Sequence, residues 1–135
     1  MGRILSIDYG LKRSGIAMSD PNKILASAYK VVIGQDGLKK ELDYIINNYD
    51  IEKILMGLSY KTGEVIGEIG KISIKFSKYV KSKYNLEVEF IDEAMTSKNV
   101  TEFLKKMGKN IKKYKNEIDK YSAELILEDY LKNLR

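Results

Sequence analysis

Apolar and polar positions divide this chain into short β-like runs at its start and longer helical stripes after them. Arg3-Ile4-Leu5-Ser6-Ile7-Asp8 is apolar and carries β-branched residues, which predicts a strand near the middle of a sheet. Gly10-Leu11-Lys12-Arg13 reads as a turn, and Ser14–Ser19 as a second strand folding back on the first. A second turn at Asp20-Pro21-Asn22 leads to a third strand, Ala26–Ile33, completing an antiparallel meander. The period then changes. Gly34-Gln35-Asp36-Gly37 ends the strand and starts a helix over about 38–49, with Leu38, Leu42, Ile45 and Ile46 on one face.

Two further strand–helix units follow. Lys53–Met56 is a short apolar strand, and residues 64–83 form a helix with the stripe Val65, Ile69, Ile72, Phe76 and Val80. Leu86–Ile91 is a fifth strand ended by Asp92-Glu93, and Thr96 caps a helix carrying Val100, Phe103, Leu104 and Met107. A last helix covers about 116–134. The order β-β-β-α-β-α-β-α-α predicts an α/β fold with a five-stranded mixed sheet. In it a three-strand antiparallel meander is joined by two strands parallel to the first, all flanked by helices. This is the element order of the ribonuclease H-like fold. With one proline and no linker or repeat, residues 1–135 read as a single domain.

Composition narrows the chemistry. The chain has neither cysteine nor histidine. Disulfides, thiolate chemistry, Cys/His zinc sites and imidazole bases are therefore excluded, leaving carboxylates, lysines, hydroxyls and oxygen-bound metals. No apolar run approaches membrane-spanning length and no secretory leader is visible, so a cytoplasmic protein without a membrane partner is expected. The net charge of +5 is clustered. Lys105, Lys106, Lys109, Lys112, Lys113 and Lys115 surround Tyr114 in a loop, a footprint for nucleic acid with a ring to stack on a base. Lys71, Lys75, Lys78, Lys81 and Lys83 on the second long helix read as a solvated face.

The acidic residues carry the functional signal. A carboxylate at the end of a central strand costs several kcal/mol if buried without a cationic partner, and Asp8 occupies such a position. In this topology the ends of the first, fourth and fifth strands share the edge where open α/β sheets bind ligands, which brings Asp8 near Asp92-Glu93. Asp119 opens the core-facing side of the last helix, above Ser122 and Ala123. Alone it would be a helix N-terminal charge favoured by the dipole. Beside the other acids it completes a set of hard oxygen donors suited to Mg²⁺ or Mn²⁺, ions that support phosphodiester hydrolysis. Lys12 and Arg13 stand ready to hold a phosphate backbone nearby.

Several of these segments resemble the RuvX/YqgF family, described as Holliday junction resolvases and as nucleases that process the precursor of 16S ribosomal RNA. Ile7-Asp8-Tyr9-Gly10-Leu11-Lys12-Arg13-Ser14-Gly15-Ile16-Ala17-Met18-Ser19-Asp20 is similar to the family's long opening motif, Asp-x-Gly-x-Lys-Arg-x-Gly-x-Ala-x-Ser-Asp. Met56-Gly57-Leu58, Asp92-Glu93-Ala94-Met95-Thr96-Ser97 and the segments 118–123 and 126–131 resemble its later motifs. The resemblance implies a ribonuclease H-like, metal-dependent nuclease whose three acids are Asp8, Glu93 and Asp119, serving both catalysis and metal binding. Asp92 and Glu93 both end the fifth strand, and the longer Glu93 is taken as the ligand. Three positions depart from the family. Ser59 replaces Pro, Ala94 replaces Arg, and Lys61-Thr62-Gly63-Glu64 replaces an Asp-Gly-Ser/Thr stretch. None removes an acid of the trio.

The expectation is a Mg²⁺- or Mn²⁺-dependent endonuclease acting on structured nucleic acid as a monomer or weak homodimer, with Lys12, Arg13, Lys109, Lys112 and Lys113 as nucleic-acid contacts. Maturation of the 5′ end of pre-16S rRNA is favoured, because junction resolution needs paired cuts and no dimer signature is visible. The rivals are junction resolution and a non-catalytic binding module on the same fold. A sugar-kinase-like phosphotransferase is set aside, since it needs two such domains and a second phosphate loop.

Overall fold

In a computed structural model of the chain, residues 2–59, 66–93, 105–106 and 118–134 are described. Five strands, β1 (Arg3–Tyr9), β2 (Arg13–Ser19), β3 (Ala26–Ile33), β4 (Ile51–Ser59) and β5 (Glu87–Glu93), form one sheet in the order β3-β2-β1-β4-β5. β1–β2 and β2–β3 pair antiparallel, β1–β4 and β4–β5 parallel. The expected mixed sheet is thus the observed one. Helices α1 (Gly34–Asn48) and α2 (Ile66–Tyr84) supply the crossovers, and α3 (Ile118–Asn133) lies across β1, β2 and β3. The helix expected after Thr96 and the lysine-rich loop, with Lys109, Lys112 and Lys113, fall outside the described residues, save that residues 105 and 106 are helical and exposed.

Strand alternation separates two cores. Leu5, Ile7, Tyr9, Ile16, Met18, Ile54 and Met56 join Leu38, Leu42 and Ile45 of α1 and Phe76 and Val80 of α2. The alternate residues Ile4, Ala17 and Leu55 pack with Ala123, Leu127 and Leu131 of α3. Burial of this many large side chains, at roughly 25 cal/mol per Å² of apolar surface, is what holds the sheet between its helices.

Two expectations about helices are corrected. α1 begins at Gly34, about one turn before the apolar stripe does. Gly34 adopts φ +72, a left-handed conformation that glycine reaches without strain, and its N–H donates to the Lys12 carbonyl at 2.8 Å. Tertiary hydrogen bonds, not local propensity, start this helix. On α2 the inward face is Ser73, Phe76, Ser77 and Val80, while Ile72 is 39% exposed. The two serines lose no hydrogen bonding inside the core. Ser73 Oγ donates to the Gly70 carbonyl at 3.1 Å and Ser77 Oγ to the Ile74 carbonyl at 2.7 Å. Small and internally satisfied, they let the helix rotate away from its purely apolar stripe.

Candidate active site

The site begins with the register of β1. Asp8 pairs with Gly15 on β2 and with Gly57 on β4, so a carboxylate is flanked on both sides by residues without side chains. Asp8 shares its strand face with Ile4, which packs under α3, and the residue is only 5% exposed. Gly15 explains how α3 reaches it. A Cβ built on Gly15 would lie 1.9 Å from the Asp119 carbonyl oxygen and 2.4 Å from the Lys120 nitrogen. Any side chain there collides with backbone, so glycine is required for this approach. The first turn of α3 therefore rests directly on β2, beside Asp8, and delivers Asp119 at 7% exposure.

Arg13, the first residue of β2, meets Asp119 from the other side. Its Nε lies 2.7 Å from Oδ2, while its side chain keeps 40% of its surface in solvent. The contact is an ion pair by distance, although it lacks the alignment of a hydrogen bond. Farther along α3, Lys53 of β4 pins the helix. Its ammonium donates to Glu89 at 2.7 Å and to the Tyr130 hydroxyl at 2.9 Å, and these bonds hold its pKa above the usual lysine value.

The basic turn between β1 and β2 is held as firmly. Burial pushes the Tyr9 hydroxyl above its ordinary pKa, with the bond to Gln35 opposing the shift. Tyr9 donates to Gln35 Oε1 at 2.7 Å. That fixes the amide with its nitrogen outward, where it donates to the carbonyls of Gly10 at 3.2 Å and Leu11 at 3.4 Å. Ser14 Oγ accepts from the Gly10 N–H at 3.1 Å. Lys12 is left exposed at the tip, and Arg13 is directed back to Asp119. The sequence marked this turn but not Gln35 and Ser14 as the residues that hold it, because Gln35 reaches it only once α1 is placed against it.

Asp8 and Asp119, two of the three expected acids, are thus gathered at one spot on the α3 face. For the third, the backbone register pairs Glu93 with Ser59 and Asp92 with Leu58. Gly57 pairs with both Asp8 and Ile91, so positions two apart in β5 extend that row, and Glu93 belongs to the series of Glu89 and Ile91. Asp92 belongs to the alternate series, with Phe90. Among the described residues, no group of three acidic side chains is gathered closely enough to hold a metal ion. The donors present are carboxylate oxygens, nearly buried and with Arg13 paired to Asp119, in a chain without histidine or cysteine. Such a set fits a hard divalent cation and no soft one.

A five-stranded mixed sheet in this order, flanked by helices, is the ribonuclease H-like fold expected from the sequence. The Fowlpox virus resolvase, solved with its substrate Holliday junction DNA, superposes with a TM-score of 0.62 at 14% identity over 98% of both chains. That likeness is one of fold. The chain belongs to the RuvX family, described as Holliday junction resolvase, which it matches over residues 2–133. A relative from Sulfurihydrogenibium sp. (strain YO3AOP1) is 35% identical over 136 residues, covering 99% of this chain and 92% of its own length. Another, from Azobacteroides pseudotrichonymphae genomovar. CFP2, is 34% identical over 144 residues, covering 100% and 99%. Both bear the name "Putative pre-16S rRNA nuclease".

Proposed function

We propose that this protein is a divalent-metal-dependent endonuclease that hydrolyses phosphodiester bonds in structured RNA and matures the 5′ end of pre-16S rRNA. One observation carries the reading: a buried Asp8 in the first strand and a buried Asp119 in α3 meet across Gly15, beside an exposed basic turn. A strand carboxylate and a helix carboxylate buried side by side repel each other, and a bound divalent cation offsets that cost. Family membership and the names of the relatives supply the reaction class and the favoured substrate.

Asp8, Asp119 and Glu93 would hold Mg²⁺ or Mn²⁺. Bound there, the ion supplies Lewis acidity and an activated water at neutral pH. The protein's own residues do the rest. Gly15 lets the first turn of α3 rest on β2 beside Asp8, and the Tyr9–Gln35 clamp fixes the turn that presents Lys12 and Arg13. With Lys109, Lys112 and Lys113 these contact the phosphate backbone. Monomeric or weakly dimeric action in the cytoplasm suits this reading, and among the described residues no helix is long and apolar enough to cross a membrane.

The second reading, junction resolution, is favoured by the family description itself. Cleavage of a pre-16S rRNA fragment and of a four-way DNA junction by wild type and Asp8→Asn, with Mg²⁺, Mn²⁺ or EDTA, separates them. Metal-dependent cutting of the RNA, reduced by about a thousandfold in Asp8→Asn, is the expected result. Preferential cutting of the junction selects resolution. Tight binding of either substrate without cutting, indifferent to EDTA and to Asp8→Asn, defeats both in favour of a binding module.

A further inference from the structure

Arg13 is positioned to do more than touch substrate. Its backbone is fixed twice: residue 13 opens β2 in register with Ile33, and Lys12 before it accepts the Gly34 N–H. From this anchored position the guanidinium reaches inward to within 2.7 Å of a carboxylate whose side chain is 9% exposed. Yet two-fifths of the arginine side chain stays in water, so departing from Asp119 takes it into solvent and not through a packed core. A nearly buried carboxylate is costly to leave without a counter-charge, and Arg13 provides one. The same oxygen, Oδ2, is one that a divalent ion bound by Asp119 would compete for.

We propose that Arg13 is the resident counter-ion of this site, holding Asp119 in place until a divalent cation takes over that charge. The exchange then frees the guanidinium for a phosphate of the nucleic acid. The idea rests on the reading of Asp119 as a metal ligand. It adds an ordering that the reading does not contain: metal binding and phosphate binding by Arg13 are coupled through one ion pair.

The test is calorimetric titration of the protein alone with Mn²⁺, using wild type, Arg13→Gln, Arg13→Lys and Asp119→Asn. Thermal unfolding confirms that each variant is folded. If Arg13 competes with the cation, Arg13→Gln binds Mn²⁺ about tenfold more tightly than wild type, Arg13→Lys stays near wild type, and Asp119→Asn binds about tenfold or more weakly. Four-way junction affinity supplies the second measurement. Arg13→Gln is expected to lose several-fold more junction affinity in non-cleaving Ca²⁺, where the guanidinium is released, than in EDTA, where Asp119 holds it. Unchanged or weaker Mn²⁺ binding by Arg13→Gln, with Asp119→Asn impaired, overturns the exchange and leaves Asp119 a ligand. Equal loss of junction affinity with and without Ca²⁺ overturns it too. Wild-type Mn²⁺ affinity in Asp119→Asn removes the underlying reading of that residue, and the proposal with it.

Discussion

On the face covered by α1 and α2, β1 and β2 present Leu5, Ile7, Tyr9, Ile16 and Met18; on the face covered by α3 the same two strands present Ile4, Ser6, Asp8, Gly15, Ala17 and Ser19. The first set is large and apolar, as expected of residues whose work is to exclude water. Apart from Ile4 the second is small or polar, and it gives up side-chain volume so that a helix can come down onto the backbone of β2. Packing and chemistry are thus divided between alternate residues of one strand. Ile7 and Asp8 are adjacent in sequence and serve opposite ends.

That division can be tested by substituting neighbours. Ile7→Ala leaves a cavity in the larger core and is expected to lower unfolding free energy by about 2–5 kcal/mol in urea melts, while the folded fraction still cleaves. Asp8→Asn should do the reverse, with stability within about 1 kcal/mol of wild type or above it, and cleavage abolished. If Asp8→Asn destabilised the protein as strongly as Ile7→Ala, the acid would belong to the core's architecture and the contrast would collapse.

Gly15→Ala joins the two effects. The added methyl must displace the first turn of α3, so a loss of about 1–3 kcal/mol is expected together with a fall in cleavage larger than the stability loss explains. A smaller change is expected from Lys53→Met at the far end of α3. It removes the bonds to Glu89 and Tyr130, and with Glu89 41% exposed the cost should be only about 1 kcal/mol, with little effect on cleavage.

The smallest effect is one of pH, on the opposite face. Burial and the hydrogen bond to Glu41 push the Tyr29 hydroxyl from 10.0 up to about 12. The folded state therefore keeps this proton after the unfolded chain has released it. The contribution to stability is complete below pH 10 and is lost as pH rises from 10 towards 12. Urea midpoints across that range should fall in wild type and fall less in Tyr29→Phe.

Much of this arrangement was legible in the sequence. β-Branched runs marked the strands, the sheet's topology carried Asp8 and Asp92-Glu93 towards one edge, and the apolar stripe of the last helix put Asp119 on its inward side. What escaped notice depends on distance in the chain. Hydrophobic periodicity placed Ile72 inside α2, because it could not register Ser73 and Ser77 as inward residues satisfied by their own helix. The apolar stripe puts the start of α1 near Leu38, since the bonds that carry it back to Gly34 and Gln35 come from Lys12, Tyr9, Gly10 and Leu11. Arg13 read as a phosphate contact, and its pairing with Asp119 appears only when β2 and α3 are set side by side.

The meeting of β1 and α3 across Gly15 also sets a schedule. A ribosome synthesising this chain releases Asp8 early and Asp119 only after all five strands have been made. Until α3 emerges and docks, the two acids remain apart, and under the proposed function the unfinished polypeptide would hold no assembled cutting centre. A nuclease aimed at ribosomal RNA would thereby be disarmed while its own nascent chain is still threaded through a ribosome.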